Sequence, residues 1–293
     1  MTIGFIQRQT CPLCQARDKH KLCEISFREQ RLKTFLEEFY QGRVPLECFK
    51  SESYRVVICG QCDFIYQESI LDRKGMQALY LDWVDHAASL QKKQQARASL
   101  YRKYAGQVET LARVLPGRPH QNRILDYGMG WGYWSRMAQA HGFDVVGYEL
   151  SARRSAHARS LGVEVIEALP GEGEHFDCVY ASQVFEHLPD PLNSLREISA
   201  RLVPGGVVYL RVPDGRGLVD RIERGGWSPE LDAVHPFEHI NCFTRKTLTA
   251  FAARASLKPI NPPLRLNWGN LWNGIKREIA DRYLTTHLFF RRD

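Results

Sequence analysis

Residues 124–138 read Ile124-Leu125-Asp126-Tyr127-Gly128-Met129-Gly130-Trp131-Gly132-Tyr133-Trp134-Ser135-Arg136-Met137-Ala138. The order of residue types predicts a short buried strand, a tight turn with glycines at alternate positions, and the start of a helix. Glycine tolerates a positive φ and has no Cβ, so backbone N–H groups at such a helix start can approach a bound molecule closely. A glycine-rich turn can equally be a plain strand-to-helix connection. The strand that follows decides between the two.

That second strand, predicted over residues 145–148, carries an acidic residue at its carboxyl end, where Glu149 can hold a ribose diol. Dinucleotide-binding folds share this arrangement, but their G-x-G-x-x-G fingerprint leaves room for a pyrophosphate. Here Asp126 stands directly ahead of a G-x-G-x-G turn. A carboxylate at that point repels a diphosphate and suits a sulfonium or ammonium group. The stretch therefore favours a sulfonium cofactor over a dinucleotide.

The acidic residue followed by G-x-G-x-G resembles the first motif of the class I S-adenosylmethionine-dependent methyltransferases. The resemblance covers about residues 120–212 and includes two later motifs, at residues 186–191 and 202–206. It implies that the chain binds S-adenosyl-L-methionine. The residues expected to hold or border this cofactor are Asp126, Gly128, Gly130, Gly132, Glu149, Ala168, Leu169, Ser182, Gln183 and His187.

Strands and helices alternate through the second half of the chain. Strands are predicted at residues 124–127, 145–148, 163–167, 176–180 and 207–212, with two further candidates at 257–266 and 287–291. This alternation predicts an α/β fold with a doubly wound, Rossmann-like, mostly parallel seven-stranded sheet. The family places its last strand antiparallel, which implies the strand order 3-2-1-4-5-7-6.

Two C-x-x-C pairs, Cys11-Pro12-Leu13-Cys14 and Cys59-Gly60-Gln61-Cys62, lie near the N-terminus. Four thiolates in this pattern complete a tetrahedral zinc site with no open position, which makes the metal structural. The alternative is four small buried hydrophobic residues, and thioredoxin-type chemistry is disfavoured because neither pair opens a helix after a strand. A helix over residues 28–41 separates the pairs, and apolar strands flank the second pair. The module resembles the zinc-binding N-terminal part of methyltransferases that modify nucleotide-linked sugars.

These patterns divide the chain into a small four-cysteine zinc-binding module at residues 1–75, a helical connector at 76–118 and a methyltransferase domain at 119–293. Residues 213–243 are too irregular for one long element, and a connection of that length predicts a substrate loop. The chain has 293 residues and ordinary globular composition. It has no 18-residue apolar run and no signal-peptide pattern, so we expect a cytoplasmic protein with no membrane contact.

The candidate catalytic residues lie at the end of this loop. Glu238-His239 resembles the Glu-His pair of sugar C-methyltransferases, which acts near the reacting carbon of the sugar. The resemblance implies that His239 is the general base and that Glu238 activates or orients it. The family's preceding tyrosine and histidine are Pro236 and Phe237 here, and His235 is a further candidate base. The alternative is a loop salt bridge or helix-entry contact, because structural pairs imitate catalytic ones.

The favoured function is methyl transfer to a small-molecule acceptor, a sugar or nucleotide-linked sugar, by C- or O-methylation. The second hypothesis is a ribosomal or transfer RNA methyltransferase that uses the zinc module to dock RNA, favoured by the net charge of +7. Against it, Ala181-Ser182-Gln183 ends the fourth strand where base-modifying enzymes carry a stacking motif. A third hypothesis is a domain that binds the cofactor but has lost catalysis. The sequence does not indicate an oligomeric state.

Overall fold

The computed structural model describes residues 3–171, 174–263 and 285–293. The chain forms two compact units. The first comprises Met1–Ser89, Glu186–Pro191 and Pro213–Thr247, and the second comprises Leu90–Phe185, Leu192–Val212 and Leu248–Asp293. The expected substrate loop therefore groups with the N-terminal residues, and a short piece of the predicted methyltransferase domain at 186–191 groups with them too.

The helices and strands follow one another in this order: β1 Phe5–Gln7, β2 Lys19–Ser26, α1 Gln30–Phe39, β3 Ser53–Cys59, β4 Ile65–Gln67, β5 Ser69–Leu71, α2 Arg73–Ala78, α3 His86–Gln94, α4 Ala98–Val114, β6 Arg123–Tyr127, α5 Tyr133–Ala140, β7 Asp144–Tyr148, α6 Ala152–Ser160, β8 Glu164–Ile166, β9 Phe176–Ser182, α7 Pro191–Ala200, β10 Leu202–Arg211, α8 Leu218–Gly225, β11 Asn241–Cys242, α9 Arg245–Ala253, β12 Leu257–Ile260 and β13 His287–Arg292. Short 3₁₀ turns lie at Leu46–Phe49, Pro119–Gln121 and Asp232–Val234, and a π-helical turn spans Leu79–Trp83.

The first unit is built on a four-stranded antiparallel sheet in the order β11-β4-β3-β2, and β1 pairs with β5 beside it. The predicted helix between the cysteine pairs and the hairpin around the second pair are both present as α1 and β3–β4. Aromatic rings fill its core. Phe27 stacks on Phe237 with ring centroids 5.5 Å apart, although Phe237 must adopt a left-handed φ of 67° to face it. The loop that carries the candidate catalytic residues is thus anchored in this core.

The second unit contains the predicted sheet, in the order β12-β13-β10-β9-β6-β7-β8. Counted from β6, this is the expected order 3-2-1-4-5-7-6, and β13 runs antiparallel to both of its neighbours. The seven-stranded, mostly parallel, Rossmann-like fold is therefore confirmed. Its central strands are buried on both faces because helices cover both, so they read as apolar runs rather than as an alternation.

Two elements differ from the prediction. We expected Pro204, Gly205 and Gly206 to precede the fifth strand, but β10 already pairs with β9 at Leu202, and the register shifts between Leu202 and Val207. Proline lacks a backbone N–H, so a strand accommodates it at such an irregularity. The candidate strand at 257–266 is present as β12 Leu257–Ile260, and residues 264–266 lie outside the described residues.

The connector at 76–118 is helical as predicted, but in separate pieces joined by the π-helical turn and by residues 95–97. Across the described residues, no helix has the length and apolar character that a membrane span requires.

Candidate functional site

The glycine turn, residues 126–135, joins β6 to α5. Gly128, Gly130 and Gly132 all have left-handed φ angles, of 73°, 60° and 77°. A Cβ on Gly128 would lie 2.6 Å from Val184 Cγ2, and one on Gly132 would lie 2.8 Å from Ala158 Cβ, whereas a Cβ on Gly130 would meet nothing within 4 Å. Close packing therefore requires two of the glycines. The third faces open space, which fits a ligand lying against the turn.

Glu149 holds the turn from the neighbouring strand. Its carboxylate accepts hydrogen bonds from the Gly130 N–H at 3.0 Å and from the Ser151 N–H at 2.9 Å. The residue is 8% exposed, and Arg154 lies 4.0 Å from Oε2. A carboxylate fixed by two backbone donors at the carboxyl end of β7 is positioned to accept further hydrogen bonds from ribose hydroxyls.

Asp126 is buried beneath the same turn. Burial raises the pKa of its carboxyl group to about 7, the Ser135 hydroxyl opposes this by donating a hydrogen bond at 2.6 Å, and the charge of Glu149 adds to the rise. A sulfonium near this carboxyl group would favour its ionised form. Ser135 belongs to the stretch that decides the fold, but its hydrogen bond to Asp126 had no signal in the sequence.

The remaining predicted cofactor residues of the second unit also lie at carboxyl ends of parallel strands. Ala168 and Leu169 follow β8, Ser182 ends β9, and Gln183 follows it with a left-handed φ of 61°. Ligands of open α/β sheets bind at these ends. His187 differs because it belongs to the first unit. The cofactor contacts of these residues stay a prediction.

In the first unit, the four predicted metal ligands come together as the four-thiol group, Cys11, Cys14, Cys59 and Cys62, whose sulfur atoms all lie within 4.8 Å of one another. The Sγ–Sγ distance is 3.7 Å for Cys11–Cys62 and 3.5 Å for Cys14–Cys59. Four sulfur ligands about 2.3 Å from a central zinc would be about 3.8 Å apart. The two Sγ–Sγ distances are close to this value, so the arrangement suits a tetrahedral ion.

The two C-x-x-C pairs also have the same backbone conformation. In each, the first cysteine C=O accepts a hydrogen bond from the N–H four residues on, from Gln15 at 2.9 Å and from Asp63 at 3.1 Å. Gln15 and Asp63 are both left-handed, with φ angles of 63° and 59°. The first cysteine sulfur of each pair also lies 3.4 Å from the N–H two residues on. This repeated turn directs both sulfurs of a pair to one point.

The histidine group, which we define as Glu186, His187, His235, Glu238 and His239, lies wholly in the first unit. The ring centroids of His187 and His239 are 4.9 Å apart, and those of His235 and His239 are 5.8 Å apart. The structure thus joins the two sequence segments, 186–187 and 235–239, that the sequence analysis treated separately.

Each of the three imidazoles directs Nδ1 at a backbone carbonyl. His187 Nδ1 lies 2.9 Å from Glu238 O, His235 Nδ1 lies 3.0 Å from Pro236 O, and His239 Nδ1 bonds to Asp232 O. A carbonyl can only accept, so Nδ1 carries a proton in all three rings, and the neutral form of each ring has its lone pair on Nε2. Burial lowers the pKa of His235 to about 4, so its ring is neutral near pH 7.

Glu238 and His239 take different partners from those expected. We expected Glu238 to orient His239, but the oriented Nδ1 of His239 faces Asp232, whose Oδ1 also lies 3.8 Å away. The Glu238 carboxylate accepts a hydrogen bond from the Tyr40 hydroxyl at 2.8 Å, and burial keeps the pKa of Tyr40 well above its ordinary value. Tyr40 is therefore a permanent donor to Glu238.

Side chains that are distant in sequence hold residues 235–239 in place. The Gln67 amide donates to the carbonyls of His235 and His239 at 2.8 and 3.0 Å, and the Asn241 N–H donates to Glu186 O at 3.0 Å. None of these contacts had a sequence signal, because each joins residues with no common motif or period.

Glu186 completes the group at its buried side. The residue is 0% exposed, and its Oε1 lies 3.9 Å from His187 Nε2. One candidate ligand atom from each of Glu186, His187 and His239 lies within 4.8 Å of the others. The set can therefore accept protons or, with small shifts, approach a cation.

The comparisons with known proteins concern the second unit above all. The family profile described as "Methyltransferase domain" matches residues 91–261, more than half of the chain. Among curated proteins, the ubiquinone biosynthesis O-methyltransferase of Bordetella avium is 35% identical over 114 residues, which are 35% of this chain and 45% of that protein. The protein of the same name from Ruegeria pomeroyi is 37% identical over 95 residues, 29% of this chain and 38% of that one. The chain thus spans less than half the length of these relatives.

Among solved structures, an S-adenosylmethionine-dependent methyltransferase from Mesorhizobium loti is similar with a TM-score of 0.45 and 18% identity, over 64% of this chain and 96% of that one. The profile match takes in the glycine turn and Glu149 together with the parallel strands that carry them. The chain belongs to the class I S-adenosylmethionine-dependent methyltransferases.

Proposed function

We propose that this protein transfers a methyl group from S-adenosyl-L-methionine to a small-molecule acceptor, a sugar or nucleotide-linked sugar, at oxygen or carbon. The observation that carries the proposal is the histidine group, in which Asp232 O binds Nδ1 of His239 and so directs the proton-accepting role to its Nε2. Methyl transfer to a hydroxyl or an acidic carbon needs a base of this kind, since the acceptor must lose a proton.

The cofactor supplies an electrophilic methyl group bound to a positively charged sulfur. We assign the ribose hydroxyls to Glu149, whose carboxylate is already fixed by two backbone N–H groups. Asp126 would balance the positive charge from beneath the turn, and the residues after β8 and β9, from Ala168 and Leu169 to Ser182 and Gln183, would border the rest of the cofactor. The protein's contribution to the displacement is mainly alignment of the two reactants.

His239 is the residue we assign as the general base. Asp232 O holds the Nδ1 proton, so Nε2 is available to take the acceptor proton, and the Asp232 carboxylate stabilises the imidazolium that results. Glu238 would act on the acceptor or on Tyr40 rather than as the orienting partner of His239. His235, with its lowered pKa, is a weaker base and suits a hydrogen-bond acceptor role.

His187 has two possible assignments. The sequence resemblance implies that it borders the cofactor, whereas its ring contact with His239 supports a role beside the base. We favour the second, because its Nδ1 bond to Glu238 O ties it to the same loop. A positioning role predicts that its removal lowers turnover more than cofactor affinity.

We assign a structural zinc ion to Cys11, Cys14, Cys59 and Cys62. The close thiol distances and the repeated turn support it, and four protein ligands leave no position for substrate. The metal's role would be to hold the segment before β2 against the end of β3, because Cys11 and Cys14 precede β2 whereas Cys59 ends β3.

Two other acceptors must be tested against the sugar. The curated relatives are named for O-methylation in ubiquinone biosynthesis, which favours a phenolic hydroxyl as the alternative small-molecule acceptor. An RNA acceptor is the second alternative, favoured by the net charge of +7. These acceptors differ in size and polarity, so one screen separates them.

The deciding experiment measures S-adenosylhomocysteine release with a panel of nucleotide-linked sugars, a panel of dihydroxyphenols, and total ribosomal and transfer RNA. We expect turnover with a member of the first panel. Turnover with RNA alone would overturn the small-molecule proposal, and turnover with a phenol alone would replace the sugar by an aromatic acceptor. Binding of S-adenosylhomocysteine without turnover on any acceptor would favour a domain that has lost catalysis.

A further inference from the structure

One edge of the sheet in the second unit carries a row of polar side chains, at the carboxyl ends of β9 and β10 and at the amino end of the antiparallel strand β13. Arg211, the last residue of β10, pairs in register with Ser182 of β9 on one side and with His287 of β13 on the other. Two residues farther from this edge on each strand, Tyr180, Tyr209 and Phe289 form a row of packed rings with centroids 5.0 and 4.7 Å apart. Residues two apart on a strand share a face, so the polar row continues the aromatic row to the edge of the sheet.

The guanidinium of Arg211 has only neutral partners in this row. Its Nε donates to His287 Nε2 at 3.0 Å, and one terminal nitrogen donates to the Ser182 hydroxyl at 3.3 Å. His287 accepts this bond as a neutral ring, because burial and then the charges of Arg211 and Lys103 lower its pKa to about 4. Within residues 3–171, 174–263 and 285–293, Arg211 forms no ion pair with a carboxylate.

A second cation lies over the row, on helix α4. Gln107 accepts a hydrogen bond from the Tyr180 hydroxyl at 3.1 Å, which seats this helix on the aromatic row. Lys103 lies one turn earlier on the same face. Val108 and Leu111, farther along α4, belong to the same buried cluster as Tyr180 and Tyr209, so this helix covers the aromatic row. Consistently, burial and the charges of Arg211 and Lys93 lower the pKa of Lys103.

Two cations held at one sheet edge repel each other unless an anion joins them. A guanidinium with unused N–H donors beside a lysine and a serine hydroxyl offers the donors that phosphate and carboxylate oxygens accept. Within the described part of the chain, no carboxylate forms an ion pair with Arg211 or Lys103. A bound oxyanion would balance this charge and accept hydrogen bonds from Arg211 and Lys103.

We propose that Arg211, Lys103 and Ser182 form a binding site for a phosphate-type oxyanion carried by the methyl acceptor. This inference rests on the proposed function, and it narrows the acceptor to compounds with an anionic group, such as a nucleoside-diphosphate sugar. A carboxylate has the same chemistry, and the amino-acid carboxylate of the cofactor is the second source that such a site could serve. The two sources predict different behaviour in binding experiments.

The test measures binding of inorganic pyrophosphate by calorimetry, in protein saturated with S-adenosylhomocysteine. We expect saturable binding to the wild-type protein and a loss of about tenfold or more in affinity for both Arg211→Gln and Lys103→Gln. Affinity for S-adenosylhomocysteine should stay within about twofold of wild type in both variants. Arg102→Gln is the matched control, since it removes one positive charge from an exposed position of the same helix and should leave both affinities unchanged.

Three results would overturn the inference. The first is that the wild-type protein shows no saturable pyrophosphate binding. The second is that Lys103→Gln leaves pyrophosphate binding unchanged. The third is a tenfold loss of S-adenosylhomocysteine affinity in Arg211→Gln or Lys103→Gln, which would assign the cations to the cofactor carboxylate. The proposed function fails separately. If Arg211→Gln and Lys103→Gln lose pyrophosphate binding but the wild-type protein methylates no acceptor, the site stands and the proposed function fails. If Arg211→Gln methylates the acceptor with an unchanged KM, the proposed function stands and the acceptor does not use the site.

Discussion

The glycine turn and the histidine group use the backbone in opposite ways. In the glycine turn, left-handed glycines leave open space at Gly130, and the Gly130 N–H donates to the Glu149 carboxylate. In the histidine group, backbone carbonyls take up the Nδ1 protons of three imidazoles and leave Nε2 lone pairs. The first arrangement is suited to holding a ligand and the second to taking a proton. Binding and chemistry are therefore separable by mutation.

The two regions also differ in how the chain assembles them. Asp126, the three glycines and Glu149 come from one strand–turn–helix–strand segment. The histidine group and its supports come from α1, β4, the segment after β9 and the loop after β10. We expect the first region to tolerate changes elsewhere in the protein and the second to depend on the integrity of the first unit. The predictions below test this contrast.

The largest effect should follow removal of the metal from the first unit. Metal analysis should find one zinc per chain, and Cys59→Ser should lose it and unfold the first unit, since a structural zinc contributes about 10–16 kcal/mol to folding in small domains. Metal content and hydrogen exchange in residues 1–89 measure this. S-adenosylhomocysteine binding should survive in part.

Cys48→Ser is the matched control, because Cys48 is exposed and lies outside the four-thiol group. It should retain zinc and stability. Wild-type protein without zinc, with all four thiols titrating freely, would contradict the assignment. If metal analysis finds a second metal ion per chain, and His187→Ala loses it, Glu186, His187 and His239 form a metal site as well.

The next largest effect should follow removal of the proposed base. His239→Ala should lower turnover by about 100-fold or more, the usual size of a general-base contribution, while cofactor affinity stays near wild type. Steady-state kinetics with the acceptor found in the screen, together with calorimetry, measure both. A deficit confined to the acceptor KM would mean that His239 only binds substrate.

His141→Ala provides the control for that variant. His141 also directs Nδ1 at a backbone carbonyl, Met137 O at 2.8 Å, but it is exposed on the second unit. It should leave turnover unchanged. An equal loss in both variants would show that the effect on rate comes from stability rather than from proton transfer.

In the glycine turn, Glu149→Ala should weaken S-adenosylmethionine binding by about 1.5–3 kcal/mol, the range for hydrogen bonds to a charged group. The fold should remain, because the glycines and the strands that flank them are unchanged. Calorimetry measures the affinity, and Glu167→Ala, an exposed acidic residue after the next strand, serves as the control. Unchanged affinity in Glu149→Ala would contradict its assignment to the ribose.

The smallest effect should come from the hydrogen bond between Tyr40, which directly follows α1, and Glu238. Tyr40→Phe removes the hydroxyl that donates to Glu238 and should lower stability by about 1 kcal/mol, measured by urea denaturation. It should lower turnover and leave cofactor affinity unchanged. Tyr101→Phe, at an exposed position, should do neither. A fall in cofactor affinity in Tyr40→Phe would show that the two regions are coupled rather than separable.

The sequence by itself determined the features that local spacing encodes. Alternating strands and helices predicted a doubly wound, mostly parallel sheet, because short connections and a right-handed crossover leave few arrangements for consecutive parallel strands. The order 3-2-1-4-5-7-6 came from the resemblance to the class I methyltransferases. The G-x-G-x-G turn and the two C-x-x-C pairs predicted where a ligand and four thiols would be held, because their geometry is set within a few residues. The start of β10 was not predicted correctly, because the register shift between Leu202 and Val207 depends on pairing with β9.

Only the tertiary structure decided how the histidine group is built. The Tyr40–Glu238 hydrogen bond joins residues 198 apart, and the His187–Glu238 bond joins residues 51 apart. The choice of Asp232 rather than Glu238 to orient His239, and the pairing of Arg211 with two neutral partners, likewise depend on register and loop path. Such contacts carry no period and no motif, because a side chain that meets a distant backbone carbonyl is selected by the folded geometry and not by its neighbours in sequence.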